Sequence, residues 1–372
     1  MTFPWNTRIE LVFRAGLFTL LVGCSTVTST NSPKPVDPGT TSNGVPVAPS
    51  GLQLGYIWHA DSRGLYPILG VSGAAHYGNP ELDSDPSIVA AAASTSASSS
   101  WALMLHKDGT VRLWAPSGSN ADVLVAGVAT DSAILFSPLG TSAVLIGPSI
   151  AKAIVVTGLP SKPQVSDLSL PAGFSPLRIA VGNDGTILAG VTRSAGGVQL
   201  GILSETRAYT SIGTVQAWGG ASFLPGSGGD AAVIADGATG HLTYASNLNG
   251  ASPVLVPLAD AGLLQKPVAV SISPDGKWAY AVDSAKAQIV RISIGASTAA
   301  PASIGCACTP RQLVPLTADG VYLLSPNVSG QPAWLLDTRT SQPRTFFVPA
   351  LPGSVAGQTA DSRLKQASGA QQ

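Results

Sequence analysis

Short apolar or alternating runs, parted by turns rich in Gly, Asp, Asn, Ser and Pro, recur along most of this chain. The clearest unit is Val268–Ile294. There VAVSI predicts a strand and Ser273-Pro274-Asp275-Gly276 a tight turn, because Pro presets one backbone angle and Gly accepts the other. KWAYAV predicts a second strand, Asp283-Ser284-Ala285-Lys286 a second turn, and QIVRISI a third strand. These runs alternate or are wholly apolar, as strands covered on both faces are.

The same order returns elsewhere. SAILFS, TSAVLIG and AIVVTGL lie within Ser132–Leu159, and LRIAV, TILAGVT and VQLGIL within Leu177–Leu203. ASFLP, DAAVIAD and HLTYAS fill Ala221–Ser246, and QLVPL, VYLLS and PAWLLD fill Gln312–Asp337, with an outer strand at Arg344–Val348. Trp101–Trp114 and Gly55–Leu69 share the second hairpin only. Those second turns centre near residues 63, 108, 150, 195, 238, 285 and 329, at intervals of 42 to 47 residues. That interval is the length of one four-stranded propeller blade. One blade cannot bury both its faces alone, whereas blades stacked round an axis bury them against each other. The expected fold is therefore all-β, a seven-bladed β-propeller of four-stranded antiparallel blades over residues 51–352. Small residues (Ala189, Gly190, Ala231, Ala232, Ala279, Ala281) suit the crowded centre, and Trp101, Trp114, Trp278, Trp334 and Phe346 suit the spaces between blades. The first unit has no clear inner strand before Gly55. Either Val45–Leu52 or the segment after Phe347 would have to supply it.

Composition narrows the function. Charged residues are 11 % of the 372 and the net charge is zero, so no basic footprint for nucleic acid is present. No stretch is long and apolar enough to predict a spanning helix. No P-loop, dinucleotide fingerprint or His-Glu-x-x-His occurs, and no cofactor is expected.

The first residues carry an address. Arg8 and Arg14 precede the apolar run Ala15–Gly23, which is too short for a membrane span and has signal-peptide anatomy. Leu21-Val22-Gly23-Cys24 resembles the bacterial lipoprotein lipobox. The resemblance implies that residues 1–23 are a removed signal peptide and that Cys24 is the lipidation site, with the membrane as partner through the acylated N-terminus. Several acyl chains on one residue give stable anchoring, since each buried methylene contributes about 0.8 kcal/mol. Ser25 leans, by the same resemblance, towards the outer membrane, facing the periplasm or the cell surface. Residues 24–50, rich in Ser, Thr, Pro and Gly, are expected to form a flexible linker, and residues 353–372 a loose C-terminal tail.

The string SPDGKWAYAVDSAKAQIVRISI resembles the SPDGK-type repeats of YVTN and WD40-like bacterial propellers. That resemblance covers one unit closely and the rest in outline. It implies a loop face, formed by the second turns and the connections between blades, as the usual place for ligands. His59, Asp61, His106, Asp236 and Asp283 stand at or near the ends of second strands, and His76 lies in the long connection Gly70–Pro86. These six are the candidate loop-face binding residues. His59 and His106 hold the same place in adjacent units, each two residues before an aspartate. Glu81, Asp83 and Asp85 alternate in the same connection, as ligands of a hard cation can, but the glycine and closing glutamate of an EF-hand are missing, so no metal site is assigned. Cys306 and Cys308 are a candidate local disulfide, with free thiols or a redox or metal pair as the other readings. No catalytic residue is assigned. Two function classes remain. One is an anchored binding or scaffold module for an envelope protein or glycan. The other is a propeller enzyme of lactonase or lyase type, which the YVTN resemblance admits and which needs charged side chains converging at the channel mouth.

Overall fold

The computed structural model describes residues 53–82, 85–95, 99–116, 123–147, 152–171, 174–259, 262–295, 299–325, 328 and 330–351. The signal peptide, Cys24, the linker to residue 50 and the tail from 353 lie outside the described residues. So do Val45–Leu52 and the chain beyond Leu351.

Among the described residues there are strands and turns and no helix, hence none long and apolar enough to cross a membrane. The strands form seven sheets in chain order. Blade 1 holds β1 (Gln53–His59), β2 (Gly64–Leu69) and β3 (His76–Tyr77). Blade 2 holds β4 (Ile88–Thr95), β5 (Ser100–His106), β6 (Val111–Trp114) and β7 (Val123–Val125). Blade 3 holds β8 (Ala133–Phe136), β9 (Ser142–Ile146), β10 (Lys152–Thr157) and β11 (Gln164–Ser169). Blade 4 holds β12 (Phe174–Val181), β13 (Ile187–Thr192), β14 (Val198–Ser204) and β15 (Arg207–Val215). Blade 5 holds β16 (Trp218–Phe223), β17 (Ala232–Asp236), β18 (Leu242–Ser246) and β19 (Val254–Ala259). Blade 6 holds β20 (Pro267–Ile272), β21 (Trp278–Asp283), β22 (Gln288–Ser293) and β23 (Ala302–Gly305). Blade 7 holds β24 (Val314–Pro315), β25 (Val321–Leu323), β26 (Ala333–Asp337) and β27 (Arg344–Val348). Every pairing is antiparallel between neighbours in sequence, the meander that tight turns permit. The fold is the seven-bladed propeller that the turn spacing predicts.

The SPDG turn of blade 6 shows why the repeat forms. Ser273 Oγ accepts from the Trp278 N–H at 2.9 Å and donates to Asp275 Oδ1 at 2.6 Å, while Asp275 accepts from the Lys277 N–H at 3.1 Å. Gly276 sits at φ 71°, where a side chain would be strained. Asp184 repeats the device in blade 4 by accepting from the Thr186 N–H at 3.0 Å.

Hydrophobic clusters lie between blades. One joins Leu188 and Leu200 of blade 4 to Phe223 and Ile234 of blade 5. Another joins Ile289 of blade 6 to Tyr322 and Leu336 of blade 7, with Trp278 and Trp334 packed on it. Trp114 fills the space between blades 1 and 2 beside Tyr56. The ring closes on the same principle. Leu54, Ile57 and Ile68 of blade 1 share a cluster with Val321, Leu335 and Phe346 of blade 7, and Ser72 hydrogen-bonds Asp337 across that seam. Each blade thus removes its neighbour's apolar faces from water, the term that stabilises a repeat ring.

Among the described residues blade 1 has three strands. Its β1 corresponds to a second strand, since it precedes the turn at 60–63 as β5 precedes the turn at 107–110. Among the described residues β1 is the innermost strand of blade 1, and its Tyr56, Ile57 and Trp58 line the axial cavity.

Candidate functional site

The turns after the second strands and the connections between blades meet on one face. The Lys107 N–H donates to Ser87 O at 2.7 Å, the Gly237 N–H to Ala217 O at 2.9 Å and the Ser284 N–H to Lys266 O at 3.1 Å. In each case a second turn is tied to the segment that enters its own blade.

Asp236 and Asp283 reinforce those ties. Asp236 is 8 % exposed and accepts from the N–H groups of Gln216 at 2.9 Å, Ala217 at 3.1 Å and Ala238 at 2.9 Å. Asp283 is fully buried and accepts from Gln265 at 2.9 Å, Lys266 at 3.1 Å and Ala285 at 3.1 Å. The two patterns are one device in adjacent blades: a carboxylate at the end of the second strand clasps the incoming connection and caps the outgoing turn. Burial pushes the Asp236 carboxyl up, but the three backbone donors outweigh it and hold the group below the usual carboxylate range. Their oxygens are engaged inside the protein.

The histidines divide. His59, at the end of β1, is buried with its ring edge-on to Tyr66 and Tyr77 at 5.2 and 5.0 Å. Burial lowers its pKa, with Asp61 opposing in part. His106, at the corresponding end of β5, has Nδ1 2.8 Å from Ser87 Oγ. The Nε2 atoms of both are buried without a hydrogen-bond partner among the described residues. Asp61 and His76 are exposed. Asp85 accepts from the Ser87 N–H at 2.8 Å, and Asp83 lies outside the described residues. Among the described residues no three His, Cys, Asp or Glu side chains gather as metal ligands do. Cys306 and Cys308 are joined in a disulfide with Cα atoms 5.0 Å apart, and the Cys306 N–H donates to Ala287 O on the same loop face.

Two concavities stand out among the described residues, the second of them on this face. One, on the axis, has a volume of about 370 Å³ and mostly apolar walls drawn from all seven blades, among them Tyr56, Ala92, Leu135, Val181, Phe223, Val270 and Leu316. The other is a cleft between blades 4 and 5, formed by Arg178, Thr192, Gly197, Val198 and the connection Gln216–Trp218. Sequence reading missed this cleft. Arg178 sits in β12 beside the irregular register between Phe174 and Ile179, and Trp218 opens the irregular stretch of β16 before Ala221. Such irregularities turn side chains out of their alternation and leave little trace in sequence.

No family model matches the chain, and no curated protein does. Solved structures do. A functionally unknown protein from Desulfotomaculum acetoxidans DSM 771 is similar at TM-score 0.54 and 15 % identity, over 80 % of this chain and 95 % of that one. A complex of KlAtg21 with the coiled-coil of AgAtg16 contains a chain similar at TM-score 0.50 and 9 % identity, over 80 % of this chain and 98 % of that one. At such identities the likeness shows the fold alone.

Proposed function

We propose that this chain is a lipid-anchored binding or scaffold module of the cell envelope, held through Cys24 and presenting its loop face to an envelope protein or glycan. The observation that carries the binding half is the clasped face. Asp236 fixes the connection that borders the cleft between blades 4 and 5, Asp283 fixes the corresponding connection of the next blade, and a pre-ordered surface loses little entropy on binding. The candidate polar residues serve that end rather than a shared reaction centre: His59 packs on Tyr66 and Tyr77, His106 bonds Ser87, and the two aspartates bond backbone. The lactonase or lyase alternative requires those groups to converge. The lipobox-like Leu21–Cys24 supports the anchor and the export that goes with it, with the outer membrane as the expected address.

Metabolic labelling with an acyl analogue, followed by fractionation, tests the anchor. The wild-type chain should carry label and sediment with membranes, and Cys24→Ala should lose both. Label retained in the variant would overturn the anchor. Release of lactone-hydrolysis or lyase products at a rate abolished by His106→Ala would overturn the binding reading in favour of the enzyme.

A further inference from the structure

The cleft between blades 4 and 5 holds a cation, Arg178, that forms no ion pair among the described residues. Among the described residues the ion pairs are Lys152 with Asp167, Lys277 with Asp275, and Arg339 with Asp319 and Asp337; Arg178 is in none of them. The residue is half-buried, and its guanidinium is oriented at the exposed rim, with Nη1 donating to Thr192 Oγ1 at 2.6 Å. One donor used in this way leaves the rest of the fork for a planar acceptor.

The cleft wall includes the indole of Trp218, and the Arg178 and Trp218 side chains both approach Gly190, where a larger residue would not fit. A Cβ at Gly190 would lie 3.0 Å from Trp218 Cε3, 3.1 Å from Arg178 Cβ and 2.8 Å from Val198 Cγ1. Glycine therefore leaves the space into which the indole of Trp218 and the base of the Arg178 side chain both reach. Both Arg178 and Trp218 come from inner strands, of adjacent blades, whose register slips where they stand. The cleft also offers Gln216, an exposed polar side chain on its rim, whose backbone is pinned by Asp236 at 2.9 Å. A fixed guanidinium beside an indole and polar rim groups is the complement of a ring that carries a carboxylate and hydroxyls. The guanidinium takes the carboxylate, the indole takes the apolar face of the ring, and Gln216 and Thr192 face hydroxyls.

We infer that this cleft binds acidic sugar residues, hexuronates of a glycan chain. The inference deepens the binding-module reading and rests on it, since it names the ligand class for part of the same face.

The test is titration of the purified full-length protein with glucuronate and with a galacturonate trimer, followed by tryptophan fluorescence and calorimetry. Glucose and inorganic phosphate serve as controls. Glucuronate should bind at least about tenfold more tightly than either control, because only it engages both the guanidinium and the indole. Arg178→Gln should weaken glucuronate about tenfold or more, and Trp218→Phe should weaken it while keeping the preference over glucose. Thermal melts of each variant report whether the ring stays folded, and Thr192→Val offers a milder loss should Arg178→Gln unfold. Equal affinity for glucose and glucuronate, a phosphate affinity matching that of glucuronate, or affinity unchanged in all three variants would overturn the inference. If the variants lose glucuronate yet an envelope partner is still captured at wild-type level, the inference stands and the partner uses another part of the face. If glucuronate never binds while capture persists, the inference falls and the module reading survives.

Discussion

Replacing Asp236 by Ala should destabilise the propeller by several kcal/mol without changing any apolar contact. The carboxylate accepts from the Gln216, Ala217 and Ala238 N–H groups at 2.9, 3.1 and 2.9 Å. A hydrogen bond to a charged group contributes about 1.5–3 kcal/mol net, and a buried donor left without a partner costs about 1–3 kcal/mol. Water can reach part of this site, so the lower half of the range applies, and the total is about 3 kcal/mol. That lowers the melting temperature by roughly 6–12 °C, each kcal/mol shifting it by about 2–4 °C in domains of 150–250 residues. The assay is calorimetry at pH 7, with Asp236→Asn beside Asp236→Ala. Asn keeps one acceptor but sets an amide donor against an N–H, so it should recover less than half of the loss. The pH dependence follows from the sign of the shift. Asp236 binds its proton less readily folded than unfolded, so its contribution is full above the unfolded pKa and fades as pH falls through the depressed folded value. The gap between wild type and Asp236→Ala should therefore be full at pH 7 and shrink in acid. A variant within about 0.5 kcal/mol of wild type at pH 7, the range of ordinary surface substitutions, would refute the clasp.

Asp283→Ala should cost at least as much, since that carboxylate is wholly buried with three backbone donors, and a chemical-denaturation midpoint measures it. His59 has a lowered folded pKa, so the unfolded chain takes up its proton first and stability should fall as pH drops through about 6.5, the unperturbed value; His59→Phe should flatten that part of a stability-against-pH curve. Gly240→Ala should lower the melting temperature by several degrees, because φ is +76° and the new Cβ would meet Leu264 O at 2.1 Å. Denatured, unreduced protein exported by its native route should show no titratable thiol at Cys306 or Cys308 by Ellman's reagent.

The turns made the fold legible. Pro and Gly at fixed offsets, as in Ser273–Gly276, force a reversal whatever the neighbouring blade supplies, so the interval between turns survives in sequence. The functional face was less legible. Asp236 and Asp283 are legible as polar groups at strand ends, but the backbone N–H groups they accept from are not, since a carboxylate that clasps amides looks in sequence like one that meets a ligand. Arg178 and Trp218 lie forty residues apart and line one cleft because adjacent blades pack, each standing where its inner strand slips register. Gly190, which makes room for that meeting, reads in sequence as one more small inner residue.

Face-specific photo-crosslinking in intact cells tests the binding account most directly. A photoreactive residue at Gln216 or Ala195 reports on the loop face, and one at Asp319 or Gly226 reports on the opposite side of the ring. The account predicts a discrete adduct from the first pair and none from the second. Adducts from the second pair alone, or from neither, would contradict it.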